Sequence, residues 1–263
     1  MGAKIATVGL SHTYERNDQT VTALKDLDLS VDTGELVSIV GPSGCGKTTL
    51  LFSVAGFIRP SQGKILVDGR PIDGPGVERG IVFQSFALFK WLTVRDNVEF
   101  GPRMRGVGRR ERRERADHLL NMVGLGKFKD RYPYELSGGM QQRAAIARAL
   151  ANEPDILLMD EPFGALDAQS RDMMQEELLR IWQGSGKTIL FVTHSVDEAI
   201  YLSTRVVVFT FRPGCIKHIL NVELPGSRFD HHIRTSAEFI REKDSILDLV
   251  REETFKQYEA EEA

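Results

Sequence analysis

Gly41-Pro42-Ser43-Gly44-Cys45-Gly46-Lys47-Thr48-Thr49 follows the apolar run ELVSIV (residues 35–40) and opens a helical stretch from about Lys47. The spacing is G-x-x-x-x-G-K-[ST], that of a phosphate-binding loop, in the strand–loop–helix context such a loop needs. Glycines let backbone N–H groups curl around phosphate oxygens, and the helix N-terminus adds the positive end of its dipole. Lys47 supplies a point charge for the β- and γ-phosphates, and the Thr48 hydroxyl is a ligand for Mg²⁺. A glycine-rich turn that binds nothing is the alternative; the fit of the motif and of both flanks outweighs it.

Outward from this loop, short apolar runs recur with helical stretches between them. Residues 4–10 (KIATVGL), 27–31 (LDLSV), 64–69 (KILVDG) and 80–84 (GIVFQ) read as strands. ILLMD (156–160), TILFVT (188–193) and RVVVFTF (205–211) are nearly continuous apolar runs, which suit strands of a parallel sheet covered on both faces. A helix spans residues 169–182 and ends at Gly184. The pattern is α/β with right-handed crossovers. Between residues 86 and 151 the strand signal vanishes, and that stretch reads as a helical, charge-rich lobe inserted into the sheet domain. After about Ile216 the pattern weakens into a short appendage with an acidic tail. The expected division is a nucleotide-binding core (1–85 and 151–215), a helical lobe (86–150) and the appendage (216–263).

Two further stretches carry chemistry. In Ile156-Leu157-Leu158-Met159-Asp160-Glu161-Pro162 an apolar strand ends in two acids, and an acid at the C-terminal end of a parallel strand points at the sheet's ligand edge. Asp160 is suited to hold Mg²⁺, directly or through water, and Glu161 to orient and deprotonate an attacking water, helped by phosphates that favour proton uptake. Alone, the pair could be solvated acids in a turn; the phosphate loop upstream tips the balance. In Leu136-Ser137-Gly138-Gly139-Met140-Gln141-Gln142-Arg143, Ser137 is a good helix N-cap and the two glycines leave backbone N–H groups open. A capped helix start explains that much. It does not explain why an anion-binding helix end is built twice.

LSGGMQQR between a phosphate-binding loop and an ILLMDEP strand resembles the signature of ATP-binding cassette proteins. The resemblance implies a P-loop NTPase (RecA-like) core with an N-terminal antiparallel β subdomain and an inserted α-helical lobe. In that family two cassettes pair head to tail, and the signature of one covers the γ-phosphate held by the P-loop of the other. The resemblance therefore implies a homodimer binding ATP with Mg²⁺ through residues 41–49 and through Ser137, Gly138, Gly139, Met140 and Gln141 of the opposite chain. Tyr14 matches the aromatic that stacks on adenine. Gln84 matches the glutamine that contacts Mg²⁺ and water and senses the helical lobe, and His194 matches the histidine that bonds the γ-phosphate. Gly164-Ala165-Leu166-Asp167 matches the loop touching the opposite subunit. Taken singly each has a bland reading: Tyr14 as core, Gln84 as a strand end, His194 as a cap. Their joint order reverses that. Met140 stands where the family pattern has glutamine, which touches a side-chain contact but not the Ser137 or backbone contacts.

Composition narrows the machine being driven. Net charge is −3, with 41% hydrophobic and 27% charged residues, so nothing pulls the chain toward nucleic acid or an anionic membrane. Cys45 and Cys215 have no zinc-type spacing and point to a reducing compartment. No apolar run reaches the roughly 20 residues of a membrane helix, and the N-terminus lacks the apolar core of a secretory signal. Arg103, Arg105, Arg109, Arg110, Arg112, Arg113 and Arg115 crowd one stretch with Glu111 and Glu114 between them. A salt-bridged helix surface explains them better than a nucleic-acid patch, because aromatic residues for base stacking are missing. No heptad stretch of the DNA-associated members and no second cassette of the translation type is present. Residues 82–107 and 197–239 resemble importer ATPases of the nitrate, sulfonate and taurine group. That implies a peripheral protein on the cytoplasmic face of the inner membrane, working with permease subunits and indirectly with a solute-binding protein. An ATPase acting on a ribosome or DNA is the alternative.

Overall fold

The computed structural model describes residues 2–16 and 19–262. The chain forms two compact units, residues 1–76 with 185–263 and residues 77–184. The first unit opens with β1 (Ala3–Arg16), β2 (Gln19–Leu27) and β3 (Ser30–Asp32). Then come β4 (Leu36–Val40), α1 (Lys47–Ala55), β5 (Gln62–Val67) and β6 (Arg70–Pro71). The long β1 is the hub of an antiparallel sheet in the order β2-β1-β5-β6, with β3 also on β1. Ile5 and Leu10 lie inside while Val8 and Tyr14 stay exposed. Alternation alone would put Leu10 on the face of Val8 and Tyr14, and the register irregularities of residues 8–13 against β2 and β5 switch the face.

The second unit contains β7 (Arg79–Val82), α2 (Val94–Met104), α3 (Arg109–Met122), α4 (Gly138–Leu150), β8 (Ile156–Asp160) and α5 (Ala168–Ser185). β7 and β8 pair in parallel, Val82 beside Met159. Helix starts follow side-chain caps. Thr93 accepts the Asp96 N–H at 3.1 Å and donates its hydroxyl to the Asp96 carboxylate at 2.6 Å, so α2 begins there. The arginines of α3 are tied down, Arg110 to Glu114, Arg115 to Glu111 and Arg112 to Glu99. Arg110–Glu114 and Arg115–Glu111 have the i,i+4 spacing of a solvated helix surface, whereas Arg112 reaches the buried Glu99 of α2.

The chain then returns to the first unit through β9 (Thr188–Val192), α6 (Val196–Leu202), β10 (Arg205–Phe209), β11 (Ile216–Asn221) and α7 (Ala237–Glu262). β9, β4 and β10 lie parallel, and β11 adds antiparallel to β10. Every residue of β4 and β9 is buried, as is every residue of β8 in the second unit. That explains their unbroken apolar character: each fully buried Val, Leu or Ile contributes roughly 1.5–3 kcal/mol. The expected strands appear, with β1 longer than foreseen and β2 unforeseen. Beyond Ile216 the chain is more ordered than its pattern implied: β11 extends the sheet and α7 runs 26 residues. Among the described residues no helix is long and apolar enough to cross a membrane.

Candidate active site

The phosphate-binding loop begins one residue past β4. Ser43, Gly44 and Thr48 are exposed, whereas Gly41, Pro42, Cys45, Lys47 and Thr49 are buried. The Lys47 ammonium donates to the Gly41 carbonyl at 2.8 Å and to the Pro42 carbonyl at 2.7 Å, with the Cys45 sulfur 3.7 Å away. The chain thus wraps around its own cation, fixing one positive charge at the head of α1. Gly46 has φ +100°, and a Cβ there would meet the Ala23 carbonyl oxygen at 2.6 Å. Only glycine allows both that conformation and that approach. Burial pushes the Cys45 thiol up, more than the Lys47 charge and its hydrogen bonds pull it down. It is therefore an inert, apolar part of the loop.

Two other expected residues of the first unit lie with this loop's neighbours. Tyr14 is 42% exposed and shares a 3.2 Å hydrogen bond with Thr49, while His12 meets its ring edge-on at 4.5 Å. The phenol is thereby anchored at its polar end, leaving a ring face accessible. His194 is exposed on the link between β9 and α6, just past the strand that pairs with β4. Thr193 donates to Glu198 at 2.7 Å and Ser195 caps α6 by accepting the Glu198 N–H at 3.3 Å, so both neighbours of His194 are pinned.

The remaining candidates sit in the second unit. Asp160 closes β8 and is 4% exposed. Glu161 follows with φ +44°, a left-handed conformation that costs a non-glycine residue about 1–3 kcal/mol. Gln84, two residues past β7, donates its amide to the Glu161 carboxylate at 3.2 Å. Parallel pairing of β7 with β8 brings these two together at the strands' C-terminal edge, where ligands of such sheets bind. Ser137 caps α4 by accepting the Met140 N–H at 3.3 Å, and Ser137 and Gly138 are exposed. Gln141 donates to the Leu136 carbonyl at 3.2 Å, so its amide supports the helix start. A Cβ on Gly139 would meet the Leu166 side chain at 3.0 Å, so a larger residue there requires that side chain to give way. Asp167 accepts the Ser170 N–H at 2.9 Å and starts α5, and that hydrogen bond holds its carboxyl below the usual range.

The family model described as "ABC transporter" matches residues 24–164. An uncharacterized ABC transporter ATP-binding protein of Methanocaldococcus jannaschii is 52% identical over 256 residues, covering 97% of this chain and 94% of that protein.

The chain belongs to the ABC transporter family.

The taurine import ATP-binding protein TauB of Ruegeria pomeroyi is 50% identical over 237 residues, 89% of this chain and 88% of that protein. A dimeric structure of an ATP-binding cassette in a post-hydrolysis state, bound to ADP and Pi, is similar with a TM-score of 0.76 at 33% identity, covering 83% of this chain and 99% of that one. This ABC ATPase binds ATP and hydrolyses it.

Several residues of the ABC ATPase that shape these loops escaped sequence reasoning. Phe86 and Ala87 have φ +58° and +50°, an unusual pair of left-handed non-glycine residues directly after Gln84. Arg148, late in α4, donates to both their carbonyls, at 3.1 Å to Phe86, and lies 5.8 Å from the centre of the Phe89 ring. Burial lowers the Arg148 pKa from its ordinary value. Asn97 is fully buried; it accepts the Phe89 N–H at 2.8 Å and donates to the carbonyls of Phe89, Leu92 and Thr93. That one amide folds the loop before α2 and leaves Trp91 74% exposed. Arg148 reads as one more surface charge on an amphipathic helix and Asn97 as a polar helix residue; positive φ at Phe86 has no sequence signal.

Proposed function

We propose that this ABC ATPase drives a membrane importer, working as a homodimer that closes over two ATP and powers separate permease subunits. One observation carries the reading: a single chain holds two anion-suited helix starts. Lys47 and its loop head α1, and Ser137 with two glycines heads α4, where Ser137 and Gly138 are exposed. Two copies facing head to tail give each ATP one start from each chain. The similarity to a dimeric cassette with ADP and Pi supports that pairing. The taurine import names of relatives about half identical support import of a nitrate-, sulfonate- or taurine-like solute, handed over by a solute-binding protein.

In this reading residues 41–49 hold the phosphates and Tyr14 stacks on adenine. Residues 137–141 of the partner chain close over the γ-phosphate, and the Asp167 loop meets the opposite chain. Thr48, Gln84 and Asp160 offer only oxygen donors, the set a hard, small cation such as Mg²⁺ takes. Held by these residues, Mg²⁺ would supply charge neutralisation to the phosphates. Glu161 accepts the proton of the attacking water, Gln84 keeps that carboxylate aimed, and His194 donates to the γ-phosphate. Residues 1–85 and 151–215 serve as the nucleotide core, 86–150 as the lobe that moves, and 216–263 as the appendage.

The segment near Gln84 and Phe86 to Trp91 is where the permease docks at the cytoplasmic face of the membrane, with Trp91 74% exposed beside Phe89 on the loop that Asn97 pins. The test is reconstitution with the permease in vesicles. ATP-dependent solute uptake and an ATPase rate stimulated by the permease are expected, with the stimulation reduced about tenfold by Trp91→Ala, the size of a docking hot spot. Ribosomes or nucleic acid in the pull-down, with no permease, would overturn the reading.

A further inference from the structure

In the appendage, the Glu253 carboxylate reaches the loop that leans on the phosphate-binding loop. Glu253 of α7 has a side chain only 2% exposed. It accepts the Phe211 N–H at 2.9 Å and hydrogen bonds from Lys256 at 2.6 Å, and pairs with Lys217 of β11 at 2.9 Å. The two ammonium groups offset the cost of burying its charge, leaving one oxygen for the backbone of the loop after β10.

That loop, residues 210–215, is stiff and leans on residues 41–46. The Thr210 hydroxyl accepts the Cys215 N–H at 2.9 Å and donates to the Pro213 carbonyl at 2.8 Å. Gly214 donates to the Ala23 carbonyl at 2.9 Å and accepts the Lys25 N–H at 3.2 Å, clipping the loop to β2. A Cβ on Gly214 would meet the Cys45 carbonyl oxygen at 2.1 Å, so the two backbones touch. Arg212 donates its Nε–H to the Gly44 carbonyl at 3.0 Å. Because a trans peptide is planar, holding the Gly44 carbonyl also fixes the opposite direction of the Cys45 N–H. The inference rests on the proposed reading, in which the Cys45 amide is one of the loop's donors to phosphate.

We infer that Glu253 and Arg212 are positioning residues for ATP binding: α7 sets the 210–215 loop through Glu253, and that loop aims the phosphate-binding loop through Arg212. Neither residue touches the reacting atoms. The C-terminal helix is part of the apparatus that sets ATP affinity, and a partner that pulls on α7 alters that affinity.

The experiment measures the ATP dissociation constant, KM and kcat of the full-length chain, with melting temperature as a folding control. Glu253→Ala is expected to raise the ATP dissociation constant and KM about 5–20-fold while kcat at saturating ATP stays within about twofold, the pattern of lost uniform binding. Glu253→Gln retains a carbonyl oxygen for the Phe211 N–H and restores most of the affinity. Arg212→Ala weakens ATP to a similar degree, and the double variant is no weaker than the poorer single one, as residues in one chain of contacts are non-additive. Folded Glu253→Ala and Arg212→Ala proteins that both bind ATP within twofold of the wild type overturn the inference, as do effects that add. If Glu253→Ala does not fold, unchanged affinity in Arg212→Ala is decisive against it.

Discussion

Gln84 donates its side-chain amide to the Glu161 carboxylate at 3.2 Å, joining the loop after one strand of a parallel pair to the residue after the other. Glu161 holds this position in a left-handed conformation, at φ +44°. A carboxylate aimed by a neighbouring amide at the C-terminal edge of a parallel strand pair is placed to take a proton from water.

Glu161→Gln is therefore expected to lower kcat about 10²–10⁴-fold, the usual contribution of a positioned base, with ATP binding retained. Gln84→Ala removes aim but not basicity and costs about tenfold. Steady-state phosphate release and equilibrium ATP binding check both. Wild-type turnover in the Glu161 variant removes it as the base.

Tyr14 offers an exposed ring whose hydroxyl is held by Thr49. Tyr14→Ala is expected to weaken ATP binding by about 1–3 kcal/mol, the contribution of one base–aromatic stack, and to weaken GTP and ATP alike because every base has a π-face. Tyr14→Phe keeps the ring and most of the affinity. Fluorescence titration with both nucleotides distinguishes this from a packing role, in which melting temperature falls and affinity does not.

Acid should disarm the Glu253 joint. Burial alone would raise its carboxyl, but hydrogen bonds from Lys256, the Phe211 N–H and Lys217 outweigh that and hold it below the usual range; Glu252 shares Lys217. Because the folded pKa is depressed, the charge contributes stability above the unfolded pKa of about 4.3, and loses it as pH falls through the folded value. Urea unfolding should show a gap between the wild type and Glu253→Gln that is constant down to about pH 5 and closes in stronger acid. A gap that widens in acid contradicts the assignment.

The parts of the fold that were legible are those where one physical demand fixes residue type. β4, β8 and β9 are buried throughout, so their residues are apolar throughout and stand out. The phosphate loop was equally plain, since Gly46 tolerates no Cβ and Lys47 must carry the charge. β2 and β11 were missed because each exposes much of its length and mixes polar residues into the run. α7 buries Phe239, Ile246 and Glu253 at seven-residue spacing on one face, but one of the three is charged and the positions between them are half-buried or exposed, which left no continuous apolar stripe in the sequence.

The site shows the same divide. Residues that meet a nucleotide carry a motif. Those that hold backbone shape, such as Arg148 at the carbonyls of Phe86 and Ala87 or Arg212 at that of Gly44, do so through contacts 61 to 168 residues apart in sequence. Local spacing carries no trace of such pairs.

The account depends on two chains gripping each ATP. Sedimentation velocity of the Glu161→Gln variant in saturating Mg-ATP tests this directly. A stable dimer is expected with ATP, reverting to monomer in ADP, and absent when Ser137→Arg is added, whatever its Lys47. A monomer in Mg-ATP, with ATP bound and the permease present, contradicts it.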